Sequence, residues 1–271
     1  MEASAHGNLG NVFVGLGRPA EALSAFDREE SVARRIAYRL RETLAQLDRG
    51  ALLVLLGAPD EAAPVLRVAL DSARSLGFAR QEAAAQLAPG AAANARAGLG
   101  AEVGATSGAV RIHATLGRDG HLAEALLSEG VVLADTAPDR APERFEEALG
   151  VAAECGHGAV LVRAGARLAL LPSSDRESEG IARRLMSEHG ARLPHRARLE
   201  AHWLPHRLSR RDGPLRLAAR LLCDWRDRSP ATYRVRTVTC EPVHLAIDTA
   251  ARAGGVSPVD PEASTTWDVG A

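Results

Sequence analysis

With 271 residues, a net charge of −1, 46% hydrophobic and only 3% aromatic side chains, the chain suits close-packed helices better than a β-sandwich. Three cysteines, Cys155, Cys223 and Cys240, are too few and too irregularly spaced for a disulfide framework or a zinc knuckle. No signal-peptide pattern opens the chain and no apolar run reaches the ~18 residues a membrane span needs, so a soluble, cytoplasmic protein without a membrane partner is expected.

The first stretch, Asn8-Leu9-Gly10-Asn11 through Leu16-Gly17-Arg18-Pro19-Ala20-Glu21-Ala22, comes back later in the chain. Gly10, Gly50, Gly90 and Gly130 stand 40 residues apart, and Leu56-Gly57-Ala58-Pro59-Asp60-Glu61-Ala62 repeats the phrase at Leu16–Ala22. A fixed period of this size points to a solenoid, whose units bury their apolar faces by stacking. A helix is expected from about Ser4 to Gly15, with Leu9, Val12, Phe13 and Leu16 on one stripe. Gly17 stops it and Pro19 opens a second helix to about Ile36, giving an αα-hairpin. With nothing ahead to cap this first unit, an apolar edge is expected to lie open; the chain is then either a fragment or docks that end on something.

The second unit is expected over Leu40–Leu56 and Pro59–Leu76. The third, Gln81–Ala97 and Ala101–Leu116, is degenerate, with Pro89 set to bend its first helix. The fourth covers Gly120–Asp135 and Pro142–Cys155. Beyond it the period decays into hairpins at Val160–Leu171 with Asp175–His189, and Arg196–Arg210 with Pro214–Arg228. Residues 231–240 alternate weakly, but a linker or helix start is preferred to a strand. A terminal helix over Pro242–Ala253 and a disordered tail, 255–271, close the chain. One helical-repeat domain, 1–254, is expected, regular over 1–155 and degenerate over 156–254.

These units resemble the tetratricopeptide repeat (TPR), through Leu9, Gly10, Phe13, Ala22 and Phe26 in the first unit. Gly50, Leu53, Ala62, Leu66 and Ala69 carry the likeness in the second, and Gly130, Leu133, Ala141, Phe145 and Ala148 in the fourth. The 40-residue length is similar to that of kinesin-light-chain repeats and of repeats in large bacterial transcriptional regulators. The resemblance implies an all-α superhelix, an α-solenoid of about six hairpins, whose first helices line a concave groove for a peptide or helix. Asn8, Asn11, Asp48, Arg49, Asn94 and Arg96 are then the candidate groove residues. The family's carboxylate clamp uses Lys and Asn; this chain has Asn11 but no Lys.

No catalytic set assembles in the sequence, so neither an enzyme nor a cofactor is expected. Gly98–Gly104 resembles a dinucleotide loop but follows an Ala-rich helical run instead of a strand. His202 and His206 share a helix face near His195 and Glu200, yet Pro205 interrupts it. Cys155 and His157, two apart, point away from each other. Residues 191–236 carry 12 Arg against 4 acids, a local excess fitting an acidic partner; no recognition-helix signature accompanies it, and nucleic acid is not expected. The leading expectation is a protein-interaction scaffold or regulatory module, with a homo-oligomer left open. The alternatives are a sensor or oligomerisation domain of a bacterial transcriptional regulator, and a small-molecule-binding protein or enzyme using the superhelix interior.

Overall fold

The computed structural model describes residues 1–87, 99–171, 176–209, 212–240 and 242–256, and among these every regular element is helical. The first hairpins are α1 (Glu2–Gly15) with α2 (Pro19–Arg35), and α3 (Arg39–Leu55) with α4 (Pro59–Ser75). Next come α5 (Ala79–Leu87) with α6 (Leu99–Leu116), and α7 (Gly120–Thr136) with α8 (Ala141–Cys155). Then follow α9 (Gly158–Ala169) with α10 (Arg176–His189), and α11 (His195–Ser209) with α12 (Asp212–Asp227). A short α13 (Arg236–Thr239) and α14 (Pro242–Ala253) complete the set. The all-α solenoid is therefore present, with consecutive helices paired.

The 40-residue repeat divides into two 20-residue halves. Helices α2, α3, α4 and α5 begin at Pro19, Arg39, Pro59 and Ala79. Each preceding helix ends on a residue of positive φ: Gly17 (69°), Ala37 (54°), Gly57 (73°) and Gly77 (68°). The following amide bonds back into the helix, Arg18 to the Phe13 carbonyl at 2.8 Å and Phe78 to that of Ala73 at 2.8 Å. This is the left-handed closure that satisfies the last carbonyls of a helix. Pro19 and Pro59 then start the next helix where a missing N–H costs nothing.

In three of the hairpins the recurring glycine is a crossing point. A Cβ on Gly10 would overlap the Phe26 ring, one on Gly130 that of Phe145, and one on Gly50 would stand 2.5 Å from Leu66 Cδ2. Phe26 and Phe145 are fully buried as a result, and anchor the cores of their hairpins.

Hairpin stacking brings the odd-numbered helices together, α1 on α3, α3 on α5, α7 on α9 and α9 on α11. The side on which they meet, where Asn11 of α1 reaches Asp48 of α3, forms an inner wall. The far end of the chain then returns to the beginning. The His195 ring packs over Gly17, where a Cβ would come within 2.5 Å of its Nδ1, and the Arg236 carbonyl packs against Gly57. Trp225 is buried among Ala22, Phe26, Leu52 and Leu56, and donates its indole proton to Thr237 Oγ1 at 3.0 Å. Thr237 in turn donates to the Leu55 carbonyl at 3.1 Å.

Several local expectations meet their outcome here. Residues 231–235 form turns leading into α13, not a strand. From Leu99 onward the glycine-rich stretch is part of α6, so it makes no loop for a dinucleotide. Pro89, Asn94 and Arg96, and the expected tail from residue 257 on, lie outside the described residues. No helix among the described residues is long and apolar enough to cross a membrane.

Candidate functional site

The inner wall begins with two polar side chains on the first helix. Asn8 and Asn11 are both exposed, and Asn11 Nδ2 donates to Asp48 Oδ2 over a long 3.5 Å from α1 to α3. Arg49, grouped with them by sequence, turns away toward α2. Its guanidinium lies 3.1 Å from Asp27 and 3.9 Å from Glu30, so it belongs to the helix–helix seam. Of the six expected groove residues, Asn11 and Asp48 are thus brought together. Arg49 does not join them, and Asn94 and Arg96 are not described.

Behind Asp48 sits a residue that sequence patterning missed. Glu29 on α2 is fully buried against Gly7, at the place where a side chain on α1 would otherwise stand. Arg41 donates to its Oε1 at 3.3 Å, while Oε2 has no hydrogen-bond partner. Burial, with the nearby Asp48 charge adding to it, pushes the Glu29 carboxyl up to about 7; burial raises Asp48 to about 6. The available signal was Gly7 itself, three residues before Gly10, on the face that meets α2.

A second charged group lies further along the same wall. Arg163 on α9 donates to Glu200 Oε2 on α11 at 2.9 Å and to Glu124 Oε2 on α7 at 3.2 Å. Arg196 approaches Glu200 at 3.3 Å and Arg167 at 3.9 Å. Burial alone would raise the Glu200 pKa, but the three guanidiniums outweigh it and hold the carboxyl at about 2. Three repeats are stitched together by one arginine.

The histidines do not assemble. His195 stacks on Trp225 and His206 on Trp203, each with ring centroids 5.5 Å apart. Burial and the neighbouring Arg198 charge lower His195 and His202 to about 4, which keeps both neutral. Among the described residues no group of three or more His, Cys, Asp or Glu is placed to hold a metal ion.

Several arginines of the 191–236 segment are engaged within the chain. Arg228 donates to the Leu16 carbonyl at 3.5 Å, Arg236 to Glu61 Oε1 at 2.9 Å, and Arg234 to the carbonyls of Ser229 and Asp227. A pocket of about 220 Å³ beside Cys223, Arg226, Asp248 and Arg252 is smaller than the ~300–1,000 Å³ of ordinary ligand sites. Its cations are already paired, Arg226 with Asp227 at 2.8 Å and Arg252 with Asp248 at 2.7 Å.

Compared with known proteins, the chain matches no family model, and no curated protein is similar to it.

Proposed function

We propose that the chain is a non-enzymatic interaction module that holds a peptide or helix of another protein against its inner wall. The observation that carries this is the Asn11–Asp48 contact between α1 and α3, with the exposed Asn8 one turn before Asn11, where successive odd-numbered helices meet. Carboxamides and a carboxylate spaced along stacked helices can read backbone N–H and C=O groups and basic side chains of an extended or helical segment. The TPR resemblance at Gly10, Gly50 and Gly130 agrees with this use of the fold. The Arg163–Glu200 group deeper along the wall holds the repeats in register, since its charges are satisfied by one another.

Hydrogen-exchange footprinting on a captured partner complex tests the proposal. Protection is expected on Ser4–Gly15 and Leu40–Leu55, and Asn8→Arg with Asn11→Arg should abolish capture while leaving helicity intact. Partners retained by that double variant, or protection confined to the even-numbered helices, would refute it. Replacing Gly50, which packs on Leu66 inside its hairpin, would test folding instead.

A further inference from the structure

The polar cluster behind the Asn11–Asp48 contact is one positive charge short. On α1, Gly7 and Asn11 lie one turn apart, and the Glu29 carboxyl of α2 fills the space that a Gly7 side chain would take. On α3, Arg41 and Asp48 lie two turns apart on one face, with the fully buried Ala45 between them. Arg41 donates to Glu29 Oε1 at 3.3 Å, and Glu29 Oε2 is buried without a partner. Asp48 has the long 3.5 Å bond from Asn11 and no arginine within 4 Å among the described residues. Every other acid described on α1, α2, α3 and α5 has one. The nearby cations are committed elsewhere: Arg49 to Asp27 and Glu30, and Arg80 of α5 to Asp119. Two carboxyls therefore share the single guanidinium of Arg41.

Exposure and donor geometry narrow what completes the cluster. Glu29 is sealed, whereas Asp48 is half-buried and Asn11 exposed, so a group arriving along the inner wall meets Asp48 first. Asn11 directs its amide N–H to Asp48, and no hydrogen bond among the described residues uses its carbonyl oxygen. A carboxylate oxygen and an amide oxygen thus stand side by side as acceptors. A guanidinium carries five donors in a planar fork and bonds both, while an ammonium donates from one point. A metal ion is not served, because no group of three or more ligating side chains gathers here among the described residues.

We infer that Asp48 and Asn11, backed by Glu29, form a subsite in the inner wall for an arginine side chain of the bound segment. This rests on the inner wall being a binding face, and adds that the segment carries a guanidinium at this point.

The probe is N-acetyl-arginine methylamide, with the neutral citrulline analogue as control, titrated into the full chain and followed by NMR. Saturable shifts of the Asn11 side-chain amide are expected with the arginine compound alone, at a dissociation constant in the millimolar range. Binding should weaken about tenfold from pH 8 to pH 5, because Asp48, raised by burial to about 6, is then mostly protonated. Asp48→Asn should abolish binding with helicity unchanged, and Glu29→Gln should weaken it less. Asn11→Arg supplies a guanidinium from within the chain, so it should block the probe and return Asp48 toward an ordinary carboxyl. Equal binding of the citrulline compound, no saturable binding, or binding indifferent to Asp48→Asn overturns the inference. A chain that captures partners but not the probe loses only the subsite, and one that binds the probe but captures no partner loses only the module, so the two proposals fail separately.

Discussion

Tyr233 donates its phenolic proton to Glu61 Oε2 over 2.7 Å, joining two residues 172 positions apart. Arg236 holds the other oxygen of the same carboxylate at 2.9 Å, and its own carbonyl is pressed against Gly57. The charge pair is exposed and contributes little by itself. The tight element is the glycine, which has both a positive φ and no room for a methyl group. Gly57→Ala should therefore cost about 2 kcal/mol or more, adding displaced backbone to about 1 kcal/mol of left-handed strain. Gly77 has a similar φ but open space around it, so Gly77→Ala should cost only about 1 kcal/mol. Urea unfolding of the two variants side by side measures the difference. Equal losses would mean that the C-terminal segment contributes nothing at that turn.

Ala37 breaks the pattern of the turns. It takes φ 54° at the position where Gly17, Gly57 and Gly77 stand in the other three. A side chain there pays steric strain that glycine avoids, so Ala37→Gly should stabilise the fold by roughly 0.5–1 kcal/mol. The residue is exposed and the substitution removes no buried contact. A rise of a few degrees in melting temperature is the expected readout, and a fall would show that the strain is absorbed elsewhere.

The helices were legible because their signals are local. Gly17, Gly57 and Gly77 end them, Pro19 and Pro59 begin them, and the described boundaries fall within a residue or two of the expected ones, apart from the Ala97 end of α5, which lies outside the described residues. Crossing glycines were legible for the same reason, since a large partner recurs 15 or 16 residues on, as Phe26, Leu66 and Phe145. The meeting of chain ends was not. Nothing near Gly57 announces Arg236, and nothing near Leu52 announces Trp225, because those contacts depend on how five or six hairpins rotate upon one another. In the Arg-rich segment, Arg228 and Arg236 look unemployed until the turns at Leu16 and Glu61 are brought beside them. The Asn11–Asp48 contact joins two residues that the TPR resemblance had grouped, whereas Glu29 was hidden by an acidic, ordinary-looking run.

Glu29 makes stability depend on pH in an unusual direction. Its folded-state carboxyl sits at about 7 against an ordinary 4.5, mainly through burial. Between those values the folded chain holds a proton the unfolded chain has released, so stability falls as pH rises from about 4.5 to 7. The full penalty, on the order of 2–3 kcal/mol, applies above the folded value. Glu29→Gln should therefore stabilise the protein at pH 8 and change little at pH 5, with Arg41 still able to donate to the amide oxygen. Melting temperature across this range checks it. A variant no more stable than the parent at pH 8 would show that Glu29 stays ionised at no cost.

Glu200 works in the opposite direction. Held at about 2 by Arg163, Arg196 and Arg167 against its burial, it contributes stability that is present above its unfolded value near 4.5 and lost as pH falls toward 2. Removing the charge also leaves Arg163, Arg167 and Arg196 facing one another, offset by Glu124 and, at Arg167, by Asp135. Breaking a buried ion network from one side costs about 3–5 kcal/mol, far more than the network's net contribution over an apolar core. Glu200→Gln should therefore unfold at markedly lower urea at pH 7, while its acid limb below pH 4.5 becomes shallower than that of the parent. Because Arg163 joins α7, α9 and α11, the loss should appear first in hydrogen exchange of those three helices. Uniform weakening across α1 to α4 as well would mean that the stacked hairpins unfold as one unit, through the closure at Gly17 and Gly57.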